Sequence, residues 1–267
     1  MADEGELRQR IDRLRAMVAD RDRKIARMDN QLRETTDWVR DPEPVVALPD
    51  DVEETIRRVR EERLTYLPEA ELRALARLAA ALPVGGRGCV IEAGAALGGS
   101  SIVLGSALRG SRPLYVHDVF GLIPPPSERD GTDVQARYAS IAAGESKGLG
   151  GDTYYGYRED LVGEVRESFA RLGVPVEQND VHLVQGLFED TVTGDEPVAL
   201  AHLDGDWYDS TMVCLERIVP RLVPGGRVVV DDYWFWSGAR EAVRDFLART
   251  PGLRAEYRAR VHLVREG

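Results

Sequence analysis

The chain has 267 residues, 43% of them hydrophobic, enough to bury one principal core with an appendage. Its formal charge of −11 argues against a nucleic-acid binder, which needs a basic face. No apolar run reaches the length of a membrane span and the charged N-terminus has no secretory pattern, so the expectation is a soluble cytoplasmic protein with no membrane partner.

Residues 1–40 carry ten Lys+Arg and nine Asp+Glu, about +1, which leaves about −12 on the remainder. Leu7, Ile11, Leu14, Val18, Arg21, Ile25, Met28, Leu32, Thr35 and Val39 follow at alternating steps of four and three. That is a heptad seam with Ile11, Val18, Ile25, Leu32 and Val39 at a, and Leu7, Leu14 and Met28 at d. Arg21 breaks the d series and Thr35 weakens its end. The pattern predicts an N-terminal α-helical coiled-coil extension that makes the protein a homo-oligomer, with a lean towards a parallel dimer; a surface helix packed on its own domain is the alternative. Asp41-Pro42-Glu43-Pro44 stops the helix, because proline removes a donor and restricts the residue before it. Residues 41–51 read as a linker and 52–267 as the main domain.

Val52-Glu53-Glu54-Thr55-Ile56 opens one helix and Pro68-Glu69-Ala70-Glu71-Leu72 another, with Leu72, Leu75, Leu78 and Leu82 on one face. Arg63-Leu64-Thr65-Tyr66 turns between them. Strands and helices then alternate, which predicts an α/β fold with a doubly wound, mostly parallel sheet. Strands are expected at Cys89–Ala93, 114–119, Val181–Gln185, 198–204 and 227–231. Helices are expected at Gly99–Leu108, 158–172, 209–222 and 239–249, and the tail supplies a last hairpin. Cys89 and Cys214 fall in apolar surroundings and read as free buried thiols. The segment 121–156, with Pro124-Pro125-Pro126 and Gly148-Leu149-Gly150-Gly151, is too long for an ordinary connection; it reads as a lid or binding loop, or else as a disordered surface loop.

Two apolar strands run straight into carboxylates: His202-Leu203-Asp204-Gly205-Asp206 after Val198-Ala199-Leu200-Ala201, and Asp231-Asp232 after Val228-Val229-Val230. Buried charge is costly unless paired. In an open parallel sheet these strand ends line the ligand crevice, so neighbouring tips would gather the carboxylates around a hard divalent cation such as Mg²⁺. Asp206 or Asp209 can alternatively cap the following helix. Glu92-Ala93-Gly94-Ala95-Ala96-Leu97-Gly98 joins a strand to a helix through a glycine-rich turn, where backbone amides are free to meet an anion. Asp118 ends the next strand, where a carboxylate can accept ribose hydroxyls, so the pair suggests an adenosine-containing cofactor. His202, His182 and His262 read as structural histidines, and His117 stands beside Asp118. Tyr233-Trp234-Phe235-Trp236 reads either as core or as an apolar wall against an acceptor.

Glu92-x-Gly94-x-x-x-Gly98 with Asp118, and Leu222-x-Pro224-Gly225-Gly226, resemble class I S-adenosylmethionine-dependent methyltransferases, whose fold is Rossmann-like. Gly186-Leu187-Phe188-Glu189-Asp190-Thr191, Leu203-Asp204-Gly205-Asp206-Trp207-Tyr208-Asp209-Ser210-Thr211 and Asp231-Asp232-Tyr233 resemble the macrocin O-methyltransferase family, which methylates sugar hydroxyls in antibiotic biosynthesis. The resemblance covers roughly residues 63–249. It implies that Glu92, Gly94 and Ser100 hold the methionine half of S-adenosylmethionine, with Thr65 reaching its carboxylate. It further implies that Asp118 binds the ribose, that Phe188 packs beside the adenine, and that Asp204, Asp231 and Asp232 coordinate Mg²⁺. Asp204 is then the candidate base as well as a ligand, and Asp206 its competitor. The acceptor implied is a small sugar or glycoside. A phenol or catechol acceptor is the alternative within the class. A nucleotide-dependent sugar oxidoreductase or epimerase is the alternative outside it, disfavoured because no G-x-G-x-x-G and no Tyr-x-x-x-Lys is present. A non-catalytic scaffold is weaker still.

Overall fold

The computed structural model describes residues 46–267 together with Arg10, Ile11, Leu14, Val18 and Arg21. The chain divides into two compact units, Met1–Val39 and Arg40–Gly267. In the first, those five residues have helical backbone, and Ile11, Leu14 and Val18 are 41%, 52% and 48% exposed. The other seam positions, and residues 41–45 of the expected linker, lie outside the described residues.

The second unit opens with two helices, α1 (Asp50–Glu61) and α2 (Glu69–Ala80), each entered from a proline. In α1 the first turn holds Asp50, Asp51 and Glu53 and the last turn Arg58 and Arg60, which suits the helix dipole at both ends. Val52, Thr55, Ile56 and Val59 recur at helical spacing and are the buried stripe. Next come β1 (Cys89–Ala93), α3 (Gly99–Leu108), β2 (Leu114–Asp118), α4 (Thr132–Ala142), α5 (Leu161–Arg171), β3 (Val181–Gln185) and β4 (Val198–Leu203). The chain finishes with α6 (Tyr208–Ile218), β5 (Leu222–Val230), α7 (Ser237–Arg249), β6 (Leu253–Tyr257) and β7 (Val261–Arg265).

The strands form one seven-stranded sheet in the order β3-β2-β1-β4-β5-β7-β6. The first five are parallel, and β7 runs antiparallel between β5 and β6. The sheet is therefore the mostly parallel, doubly wound α/β arrangement expected. The order reverses between β1 and β4, the topological switch point where such sheets bind ligands. β1 is buried at every position and α3 almost so, because α3 lies between the sheet and the α1–α2 pair; its apolar residues accordingly show no single face. Cys89 and Cys214 are free and buried. Among the described residues no helix is long and apolar enough to cross a membrane. The segment 121–156 is ordered, and it contains α4, which the periodicity had not revealed.

Candidate active site

Three strand tips build the floor of the site. Ala93 pairs with Leu203 and Leu203 with Val230. The ladder runs one residue further: the Asp204 amide donates to Ala93 O at 2.8 Å and the Asp231 amide to Leu203 O at 2.8 Å. Gly94, Asp204 and Asp231 thus stand in one row along the carboxyl edge of the sheet. Gly94 has φ 95°, and a Cβ there would overlap the carbonyl oxygen of Asp204. The glycine is needed because the acidic tip closes against it.

The turn that follows points its amides at Asp118. Asp118 Oδ2 accepts from Ala95 N–H at 2.7 Å and Ala96 N–H at 3.0 Å, while Oδ1 accepts from Phe120 N–H at 2.6 Å. Those amides serve a side chain here instead of standing free. Burial raises the Asp118 carboxyl, and the three amides oppose that shift.

Asp204, Asp206 and Asp232 bring one oxygen each within 4.8 Å of one another. Asp206 adopts φ 57°, a strained value for a non-glycine residue, and its amide donates to Asp232 Oδ2 at 2.9 Å. Burial and then the charge of Asp232 hold the Asp204 carboxyl well above its usual range. Asp206 is raised well above it for the same two reasons, against a hydrogen bond from Trp236 and the charge of Arg137. Asp232 is pushed up to about 7 by burial and then by Asp231. Three carboxylates, Asp232 buried and Asp204 and Asp206 half-buried, that resist ionising together form a donor set of hard oxygens with too little positive charge, which is the environment a divalent cation satisfies.

Asp231 differs from its neighbours. Burial would raise it, but His202 and Arg260 outweigh burial and hold its carboxyl below the usual range. Antiparallel register sets Val230 opposite Val261, so Arg260 falls opposite Asp231. Arg260 Nε donates to Asp231 Oδ1 at 2.6 Å, and a second guanidinium nitrogen donates to Glu71 Oε1 at 2.8 Å. His202 pairs in register with Glu92; its Nδ1 lies 2.7 Å from Glu92 Oε1 and its Nε2 3.7 Å from Asp231 Oδ1. Burial alone would lower His202, yet the two carboxylates raise it to about 9. A buried chain Glu92–His202–Asp231–Arg260–Glu71 therefore underlies the acidic cluster. His202 is structural in that it faces no solvent, and it also supplies charge that Asp231 needs.

A cavity of about 660 Å³ opens above these tips. Of the residues the sequence nominated, Gly94, Asp118, Phe188, Asp204, Asp231 and Asp232 line it. Thr65, Glu92 and Ser100 do not: all three are buried behind it. Glu92 accepts from the Ser101 hydroxyl and meets His202, while Thr65 Oγ1 accepts from the Leu67 amide at 3.1 Å. Thr65 nonetheless stays close to the glycine turn, because a Cβ on Gly99 would overlap Leu64 O. His117 also lies off the cavity, and burial lowers it to about 4.

The segment 121–156 supplies one wall, with Ile123, Pro124, Arg137, Tyr154 and Tyr155 among its lining residues. It is tied down by Trp207 Nε1–H to Pro124 O at 3.0 Å and by Asp130 Oδ1, which accepts the Tyr208 amide at 2.8 Å. The start of α6 is thereby bonded from the insertion: its cap position is Trp207, and neither Asp206 nor Asp209 caps it. The aromatic run divides, with Tyr233 and Trp234 buried and Phe235 and Trp236 on the cavity wall. Sequence reading overlooked Arg260, Glu71 and Asp130. The hairpin signal after α7 was the one available hint for Arg260, since a β6–β7 hairpin must lie somewhere along the sheet.

Comparison with known proteins agrees with this geometry. Over 168 residues the chain is 34% identical to the 8-demethyl-8-(2,3-dimethoxy-alpha-L-rhamnosyl)-tetracenomycin-C 4'-O-methyltransferase of Streptomyces olivaceus, covering 61% of this chain and 59% of that protein. Over 174 residues it is 29% identical to the demethyldecarbamoylnovobiocin O-methyltransferase of Streptomyces niveus, with 61% and 59% covered. The chain thus spans about three fifths of the length of these curated relatives. The solved structure of the O-methyltransferase NovP superposes with a TM-score of 0.61 at 24% identity, over 76% of this chain and 82% of that one. The calicheamicin methyltransferase CalS11 gives 0.52 at 19% identity, over 85% and 97%. Both show the fold. Residues 60–255 match the family model described as Macrocin-O-methyltransferase (TylF), and the chain belongs to that family.

Proposed function

We propose that the protein is a divalent-metal-dependent O-methyltransferase that moves a methyl group from S-adenosylmethionine to a hydroxyl of a glycosylated small molecule. The observation that carries this reading is the contact of the Gly94 turn with the Asp204 tip inside one cavity, which sets a donor site and an acidic acceptor site side by side. The relatives' names add support: one acts on a rhamnosyl-bearing tetracenomycin and another on mycinamicin III. Family membership removes the ground for the oxidoreductase or epimerase alternative.

In this reading Asp118 receives the ribose, Phe188 packs on the adenine, and the Gly94 turn, backed by Thr65, Glu92 and Ser100, receives the methionine end. Asp118 keeps acceptor capacity for a hydroxyl, because a carboxylate offers about four lone-pair sites. Asp204 and Asp232 hold the cation, here assigned to Mg²⁺. The third carboxylate comes from Asp231, as the sequence motif implies, or from Asp206, which the fold brings within reach of both. When bound, S-adenosylmethionine supplies an activated sulfonium methyl and the cation favours the deprotonated acceptor hydroxyl. Asp204 accepts the hydroxyl proton as the oxygen takes the methyl group. Trp236, Phe235 and the prolines of the wall exclude water and align oxygen, carbon and sulfur. The apolar helix seam, exposed at Ile11, Leu14 and Val18, supports self-association through the N-terminal unit.

Methyl transfer from S-adenosylmethionine to a glycoside panel, followed by mass spectrometry, should stop in EDTA and return with Mg²⁺. Asp204→Asn should lower turnover by about 10²–10⁴-fold with little change in S-adenosylhomocysteine affinity. Full turnover in chelator would remove the metal from the reading. Metal titration of Asp231→Asn and Asp206→Asn separates the two candidate third ligands, since only the true ligand's loss abolishes tight binding.

A further inference from the structure

Among the described residues the basic side chains lining the cavity are Arg137 and Arg260, and they are held in different ways. Arg260 is committed to Asp231 and Glu71. Arg137 projects from α4 in the insertion, is half-buried, and forms no ion pair among the described residues. Its guanidinium carbon lies 5.5 Å from the ring centroid of Tyr154, a cation–π contact. Asp130, on the same wall, has its oxygens taken by the Tyr208 amide and the Ser127 amide. Asp206 faces Asp204 and Asp232, accepts from Trp236, and feels the charge of Arg137 without forming an ion pair with it.

An arginine that stays unpaired in a cavity rich in carboxylates keeps its donors for something else. The guanidinium fork carries five N–H donors and matches a carboxylate or phosphate in two parallel hydrogen bonds. A neutral hydroxyl makes poor use of it, and an ammonium is repelled by it. The Tyr154 ring beneath the guanidinium is a contact that leaves its N–H donors uncommitted.

We propose that Arg137 is an oxyanion subsite of the acceptor pocket, binding a carboxylate or phosphate that the acceptor carries near the hydroxyl to be methylated. This rests on the methyl-transfer reading above and narrows its substrate class to anionic acceptors. A uronic acid glycoside and a nucleoside diphosphate sugar are the two sources of that chemistry. The methionine carboxylate of the cofactor is the competing claimant.

The test uses the full chain loaded with Mg²⁺ and S-adenosylhomocysteine. Calorimetry compares p-nitrophenyl glucuronide with p-nitrophenyl glucoside, which differ by the carboxylate, and adds thymidine diphosphate glucose as the phosphate arm. At least one anionic probe should bind about tenfold tighter than the glucoside. Arg137→Gln should erase that preference, and Arg137→Lys should keep part of it, because it retains the charge without the fork. Whichever anionic probe shows the preference identifies the source. S-adenosylhomocysteine affinity should change less than twofold in Arg137→Gln. Equal affinity for all three probes in the wild type, or a preference that survives Arg137→Gln, overturns the proposal. A tenfold loss of S-adenosylhomocysteine affinity in that variant also overturns it, by assigning the arginine to the cofactor. Failure of the wild-type protein to bind S-adenosylhomocysteine at all overturns the methyl-transfer reading instead.

Discussion

The floor and the wall of the cavity are built on different principles. The floor consists of the tips of β1, β4 and β5, and its geometry follows from the backbone ladder, which places Gly94, Asp204 and Asp231 in one row. The wall, residues 121–156, is fastened by scattered single bonds: Trp207 to Pro124, Asp130 to Tyr208, Asp133 to Ser237, and an exposed Arg63–Asp152 pair at 3.3 Å. A ladder tolerates little change because each bond fixes its neighbours, whereas isolated bonds are replaceable one at a time. Chemistry common to a family belongs on such a floor, and acceptor choice belongs on such a wall.

Four measurements would break or sharpen this contrast. The largest effect is expected at Gly94→Ala, where a Cβ would overlap Asp204 O and φ is positive. Loss of S-adenosylhomocysteine binding and a drop of ~3 kcal/mol or more in stability are expected from urea unfolding. A near-wild-type result would mean that the floor is not rigid.

Arg260→Met is next. It keeps the stem near Phe235, over whose ring the guanidinium carbon sits at 4.9 Å, but leaves Asp231 and Glu71 with less positive charge. Removing one partner of a buried ion pair costs about 3–5 kcal/mol. Adding Asp231→Asn to the variant should restore part of that loss, and strict additivity of the two changes would show that they do not interact.

The third effect depends on pH. Asp232 titrates near 7 in the folded protein against an ordinary 3.8. Its folded value is raised, so its contribution to stability is full below about pH 4 and disappears as pH climbs through 7. In the proposed reading cation binding displaces that proton and the one that the raised Asp204 carboxyl retains, so Mg²⁺ affinity should rise by at least tenfold per pH unit below about 7. The difference in melting temperature between EDTA-treated wild type and Asp232→Asn should move against the wild type as pH goes from 5 to 8. A difference that stays flat would contradict the raised value.

The smallest effect is on the wall. Trp207→Phe removes the hydrogen bond to Pro124, about 1 kcal/mol, together with part of the buried ring that packs on Trp236. Hydrogen exchange should quicken in segment 121–127 and stay unchanged in β1 and β4. Equal acceleration in the strands would show that floor and wall open as one unit.

What was legible in the sequence tracks this division. The strands Cys89–Ala93 and Val181–Gln185 and the helix Gly99–Leu108 have the bounds that their patterns indicate, since apolar runs bounded by turn residues are local signals. α4 escaped notice because its buried residues are only Val134 and Ile141, too few to print a period. The role of His202 was half legible: burial was expected, but its partners Glu92 and Asp231 come from two other strands. The seam at Leu7–Val39 is clear as a pattern, and of its ten positions only Ile11, Leu14, Val18 and Arg21 are described.

By itself the sequence determined the alternation of strands and helices, the glycine turn after β1 and the two strands that end in carboxylates. These are properties of contiguous residues, whose propensities and spacing act over a few positions. Only the tertiary structure decided how the carboxylates differ. Register opposite β7 pairs Asp231 with Arg260, and a left-handed backbone at Asp206 adds that residue to the cluster with Asp204 and Asp232. Proximity across a sheet depends on strand order and register, and a charge's partner some thirty or two hundred positions away leaves no trace in the residues beside it.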